Sequence, residues 1–148
     1  MEDQRKTKIL AFLGKQKLAV ISTTAPSNPT PESALIGFAE DEQLCIYFQT
    51  KNHTRKAANL SKNPNVSLVI GLRLDDMATL QYEGKAQQIV KTEDLEVCKK
   101  QFAAKGSPST KDHFSNPTTI FFKVTPTWIG FSDYSDKSPE VIEIKDFS

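Results

Sequence analysis

The stretch Thr50–Lys62, TKNHTRKAANLSK, leaves a strand, crosses a short polar loop and opens a helix. Thr54 is a good N-cap, and Arg55, Lys56, Ala57, Ala58 and Leu60 propagate helix well enough. A helix N-terminus carries partial positive charge and normally attracts Asp or Glu. Here Arg55 and Lys56 occupy the first turn, Lys51 sits just upstream, and no acid occurs between Glu42 and Asp75. Thr92–Gly106 supplies an internal control. Its Glu93, Asp94 and Glu96 come early, Lys99, Lys100 and Lys105 come late, and Gly106 is placed to stop it. That segment obeys the dipole rule, and the one at Thr54 breaks it. A bound anion would resolve the conflict, with the Thr50 and Thr54 hydroxyls and three cations converging on it; a phosphate is the obvious candidate. A solvated basic loop tip is the alternative reading.

Working outward, residues 3–14 predict a short amphipathic helix with Ile9, Leu10 and Leu13 on one face. Lys17–Thr24 reads as a strand, and APSNPTP (25–31), with three prolines, reads as a loop. Strands over 32–39 and 43–49 flank Glu40-Asp41-Glu42 as a hairpin. Val66–Leu72 reads as a strand buried on both faces. Ala78–Val90 alternates as a half-buried strand, with Gly84 marking a bulge or a close backbone approach. The Thr92 helix, a polar stretch over 106–117, a long strand over 118–132 interrupted at Pro126, and a short alternation at 141–144 complete the chain. Helices do not alternate with strands, which excludes a doubly wound sheet. The expectation is a mainly β fold, an antiparallel Greek-key split barrel of about six strands with peripheral helices.

A chain of 148 residues suits a single domain spanning 1–148. A net charge of +1 lacks the basic excess of a nucleic-acid binder. No apolar run approaches the roughly 20 residues that span a bilayer, and MEDQRKTKIL has no signal-peptide pattern. Cys45 and Cys98 lack metal spacing, so free buried thiols in a cytoplasmic protein are expected. No metal site and no Ser-His-Asp set suggests itself.

The segments PESALIGFAEDEQLCIYFQT, KNHTRKAANL, NPNVSLVIG, LQYEGKAQQI and PTWIGFSDY, in that order, resemble the pyridoxamine 5'-phosphate oxidase-like, FMN-binding split-barrel family over nearly the whole chain. The resemblance implies a homodimer with FMN in two interface clefts, acting on a small-molecule substrate. Carried over by position, Thr50, Lys51, Thr54, Arg55 and Lys56 would hold the FMN phosphate. The strand containing Ala34, Leu35, Ile36 and Gly37 would lie along the flavin ring, Thr79 would reach the ring from the partner subunit, and Trp128 belongs to the pattern of the shorter relatives. Ser132 falls near the late aromatic position of the true oxidases. Those enzymes carry an arginine where this chain has Ala34, and they end in an arginine–histidine substrate signature. Here no arginine follows Arg73. The resemblance therefore implies an FMN-dependent oxidoreductase other than the true oxidase, or a protein that stores, buffers or senses flavin nucleotide without turnover; deazaflavin binding is a third possibility within the family's range.

Among the remaining candidates, His53 lies beside the expected phosphate, His113 sits in a polar loop with no assigned role, and Glu83 reads as a rim charge. Trp128, Phe131 and Tyr134 fit either a flavin wall or core and dimer contacts.

Overall fold

A computed structural model describes residues 3–106 and 114–148; His113 lies outside them. The elements are α1 (Gln4–Gly14), β1 (Leu18–Ala25), β2 (Asn28–Gly37), β3 (Ala39–Glu40), β4 (Ile46–Lys51), α2 (Arg55–Leu60), β5 (Asn65–Ile70), β6 (Ala78–Gln88), α3 (Thr92–Lys105), β7 (Thr119–Asp133) and β8 (Glu140–Ile144), with a 3-10 turn at Leu74–Asp76. All strand pairings are antiparallel, in the order β2-β1-β5-β6-β7-β4-β3. The two ends of that path, β2 and β3, are continuous in the chain through Phe38, and this rolls the sheet into a barrel. β7 is long enough to pair along β6 while sharing its other edge between β4, at residues 119–124, and β8, at residues 129–133. The mainly β, antiparallel fold expected from the sequence is the one observed, with eight strands among the described residues where about six were expected.

Several local expectations are corrected. The proline-rich stretch is not all loop: β2 begins at Asn28 and carries Pro29 and Pro31, with Pro31 opposite Thr24. A proline cannot donate to a ladder, so it is tolerated on an edge strand, which β2 is. β2 pairs with β1, and the hairpin around Glu40 is confined to Ala39↔Tyr47 and Glu40↔Ile46. β5 is not buried on both faces. Its burial alternates strictly, and Val69 is exposed. Pro126 does not interrupt β7; it sits opposite Gly84, where the β6–β7 register shifts by a bulge. The bulge expected at Gly84 is present, and a Cβ there would lie 2.6 Å from the Thr125 carbonyl oxygen. Thr92, which its hydroxyl and the acids that follow it would suggest as the N-cap, is the first residue of α3, and Lys91 is the cap. Gly106 ends that helix at φ 77°, a conformation that favours glycine.

The core follows from the alternation. Inward residues of the barrel strands, among them Ile21, Phe48, Leu68, Leu80, Val124 and Ile129, join Ile9, Phe12 and Leu13 of α1 in one cluster. The Tyr82 hydroxyl is buried there at 2.8 Å from the Leu44 carbonyl and 3.1 Å from that of Val124. A second cluster places Cys98 and Phe102 of α3 over Ala39, Cys45, Tyr47 and Phe121. Both cysteines are free and buried; burial pushes the Cys98 thiol up to about 12, so it stays protonated and inert. No helix among the described residues is long and apolar enough to cross a membrane.

One buried ion pair joins these layers. Lys105, at the end of α3, meets Glu40 of β3 and also donates to the Leu13 carbonyl of α1 at 2.6 Å. Its ammonium lies 4.4 Å from the centroid of the Phe38 ring. With side-chain exposures of 7% and 14%, removing one partner strands the other away from water. Lys105→Met is expected to cost about 3 kcal/mol in urea unfolding, and Lys105→Met with Glu40→Leu to recover most of that loss. A double variant as unstable as the single one would contradict this role.

Candidate functional site

Helix α2 is six residues long, too short to be stable by itself, and its position is set by what it packs against. Ala57 and Leu60 are buried against the barrel. Asn59, 5% exposed, donates its amide to Thr23 Oγ1 at 2.9 Å and to Glu32 Oε1 at 2.7 Å. The helix is thus tied to β1 and β2 by one side chain. At its N-terminus Thr54 accepts from the Ala57 N–H at 3.3 Å and donates to the Lys51 carbonyl at 3.1 Å. Thr50 Oγ1 lies 2.9 Å from Thr54 Oγ1 and is itself buried. The expected N-cap is therefore present, and the two threonines form one local unit.

This docking opens a small cleft between the first turn of α2 and β2. It is lined by Thr23, Glu32, Ser33, Ala34, Arg55 and Lys56, with a volume of about 110 Å³. Three residues proposed from the sequence, Ala34, Arg55 and Lys56, meet there, and Thr50 and Thr54 lie behind the turn. Lys51 is engaged elsewhere, donating to Thr119 Oγ1 at 3.0 Å. Leu35 and Gly37 are exposed beside the cleft, whereas Ile36 points into the core and offers only backbone. Thr79 and Trp128 do not line it. They lie on the outer face of β6 and β7, across β1 and β5 from β2. Thr79 donates to the Ile70 carbonyl at 3.3 Å, and the Trp128 indole donates to Glu143 Oε1 at 3.1 Å while lying over Gly130. His53 is exposed in the loop before the helix.

The electrostatics differ from the sequence expectation in one respect. Arg55 is not an uncompensated cation: its Nη1 donates to Glu32 Oε2 at 2.8 Å. The acid that answers it lies 23 residues earlier, outside the acid-free interval from Glu42 to Asp75, and reaches it through the β1–β2 hairpin. Lys56 is different. It is half-buried, and among the described residues no carboxylate pairs with it. Burial, and next the adjacent Arg55, pull its pKa below the ordinary lysine value. A half-buried ammonium next to another cation is what a bound anion would relieve. The donor chemistry at this cleft fits a phosphate group through Lys56, with Arg55 at its mouth. A cavity of about 500 Å³ between α1, Glu42–Leu44 and the C-terminal residues lies away from this loop, whereas one of about 460 Å³ borders α2 itself at Ala57, Leu60 and Ser61. No group of three or more potential metal ligands occurs among the described residues.

Comparison with known proteins agrees with this architecture. The family described as Pyridoxamine 5'-phosphate oxidase matches residues 6–133. The General Stress Protein 26 of Bacillus anthracis str. Sterne is 23% identical, with a TM-score of 0.70 over 96% of this chain and 100% of that one. HutZ, the heme storage protein of Vibrio cholerae, is 15% identical, with a TM-score of 0.69 over 91% of this chain and 92% of that one. A heme binding protein from Mycobacterium smegmatis is 10% identical, with a TM-score of 0.78 over 98% of this chain and 59% of that one. At these identities the likeness shows the split-barrel fold alone. No curated protein matches the sequence.

Replacing the unpartnered cation tests the electrostatic reading. The folded-state pKa of Lys56 lies below its unfolded value, so the unfolded chain binds more protons just below pH 10.5. Stability from this group therefore rises with pH through that window. Lys56→Met is expected to raise the thermal midpoint of the ligand-free protein at pH 7, with the difference shrinking as pH approaches the ordinary lysine range. An unchanged or lower midpoint at pH 7 would contradict it.

Proposed function

The chain belongs to the pyridoxamine 5'-phosphate oxidase family, and on that premise we propose that it is an FMN-binding protein, an FMN-dependent oxidoreductase acting on a small planar or electrophilic substrate. One observation carries the reading: Lys56, half-buried and unpaired among the described residues, faces a cleft whose other wall is Ala34 of β2. The family resemblance assigned the FMN phosphate and the edge of the flavin ring to these same two segments.

Size supports a second chain in the site. About 110 Å³ has room for a phosphate and not for a three-ring flavin; pockets that bury whole ligands run to roughly 300–1,000 Å³. The ring would extend from the cleft along Ala34–Gly37 onto the outer face of the sheet. There Leu35, Val20 and Val69 stand opposite one another in register on β2, β1 and β5, and Leu35 and Val69 are 59% and 41% exposed. An exposed apolar row of this kind suits burial against a second copy, and a homodimer would bring the partner's Thr79 and Trp128 to the ring.

When bound, the flavin supplies the two-electron chemistry, accepting and returning hydride. The chain's own residues bind, orient and exclude water. Lys56 would hold the phosphate charge, the β2 backbone would face the ring, and Trp128 is fixed by its bond to Glu143. A dedicated acid–base residue is then unnecessary, because the chemistry is lodged in the cofactor.

Two other readings share the same cleft and fold. A flavin carrier or sensor without turnover would bind FMN equally well. Heme is the ligand named for two of the structural neighbours, and it is the competitor to include in binding assays.

The test is titration by flavin fluorescence quenching, followed by anaerobic addition of NADH or NADPH. Wild-type protein is expected to bind FMN, and Lys56→Ala to lose tenfold or more in affinity, since a charge-assisted bond contributes roughly 1.5–3 kcal/mol. Bleaching by a nicotinamide nucleotide supports the oxidoreductase, and a spectrum that stays yellow supports the carrier. Heme binding without FMN binding, or equal FMN affinity in Lys56→Ala, would contradict the assignment.

A further inference from the structure

Among the side chains around the cleft, Glu32 is the one whose charge opposes the proposed ligand. We propose that Glu32 is a specificity-determining residue, an internal carboxylate that competes with a phosphate group for Arg55 and so sets how strongly the site discriminates phosphorylated from unphosphorylated flavin. This rests on the flavin reading above and adds to it a role for one residue.

The geometry supplies each part. Both Glu32 oxygens are engaged, Oε2 with Arg55 Nη1 at 2.8 Å and Oε1 with Asn59 Nδ2 at 2.7 Å. Glu32 lines the cleft together with Lys56 and Ala34. Its side chain is 19% exposed, whereas that of Arg55 is 73% exposed. The carboxylate is therefore the fixed member of the pair and the guanidinium the mobile one. An ion pair whose cation stands that far into water is cheaply exchanged, so an incoming phosphate can draw Arg55 to itself. Glu32 then remains beside the phosphate, tethered by Asn59 and stripped of its cation. Like charges at short range in a partly buried cleft repel strongly.

A charge count gives the same result. Glu32, Arg55 and Lys56 sum to +1 around the cleft, and removing the carboxylate charge raises this to +2. A phosphate monoester carries between one and two negative charges at neutral pH, so the neutral variant matches it better. Riboflavin, with the same ring and no phosphate, should be indifferent to the change.

The experiment compares FMN and riboflavin binding to wild type and Glu32→Gln by fluorescence quenching at fixed ionic strength, with thermal melts to confirm folding. Gln keeps a carbonyl oxygen for Asn59 and is nearly isosteric; Glu32→Ser is the second variant should Gln destabilise the chain. The expected result is a tenfold or greater gain in FMN affinity, no change for riboflavin, and a steeper loss of FMN binding with added salt. Equal FMN affinities in wild type and both variants, or weaker binding in a variant that melts normally, would overturn the role of Glu32 while leaving the flavin reading intact. Absence of binding of either flavin to every protein would overturn both.

Discussion

A single carboxylate, Glu32, faces two donors at once, and how α2 sits on the sheet follows from it. Asn59 bridges Glu32 to Thr23, so the helix is fastened to both strands of the β1–β2 hairpin. Arg55 closes the same carboxylate from the mouth of the cleft. Six helical residues cannot hold themselves in place in water; these bonds, with Ala57 and Leu60 buried beneath, are what hold them. Once the helix is seated, Lys56 is left half-buried beside β2, and among the described residues no carboxylate pairs with it. The cleft is thus a by-product of how the helix is anchored, and its charge pattern comes from which cation the anchor uses up.

The barrel makes this arrangement possible. β1 and β2 form a long hairpin on one side of the sheet path, while β3 and β4 occupy the other end of it. Because β2 runs into β3 through Phe38, the two ends are brought round together, and α2, which follows β4, lands on β1. Glu32 on β2, just past the hairpin turn, and Arg55 in a helix 23 positions later can then share a salt bridge. On the opposite side α3 covers β3, β4 and β7, pinned by Lys105 to Glu40 and to the end of α1. That layer is chemically quiet, with both thiols buried, and it leaves Leu35 and Val69 exposed on the outer face of β2 and β5.

Much of the architecture was legible in the sequence because it was written in local chemistry. Alternation identified β6, glycine marked the bulge at residue 84, Thr54 marked the cap of α2, and the absence of βα alternation ruled out a wound sheet. What was misread depended on position in the sheet. Pro29 and Pro31 look like loop residues until β2 is known to be an edge. Val66–Leu72 looks doubly buried because Val69 is apolar, and only the fold shows that its face stands open. At the site, the cations, the threonines and the Ala34 strand could be nominated from order and spacing. Glu32 and Asn59 could not, since a scan along the chain for a neutralising acid cannot see a partner that a hairpin folds back. Their one visible signal was polarity at positions otherwise set for packing, an asparagine on the buried side of a short helix being the clearer of the two.

No carboxylate pairs with Lys56 among the described residues, and an anionic cofactor is proposed to answer it. Diffraction from crystals grown with excess FMN tests this most directly. The account predicts phosphate density within hydrogen-bonding reach of Lys56 Nζ, with the flavin ring running along Ala34–Gly37. Solvent alone at Lys56, or a flavin bound at another surface, would contradict it.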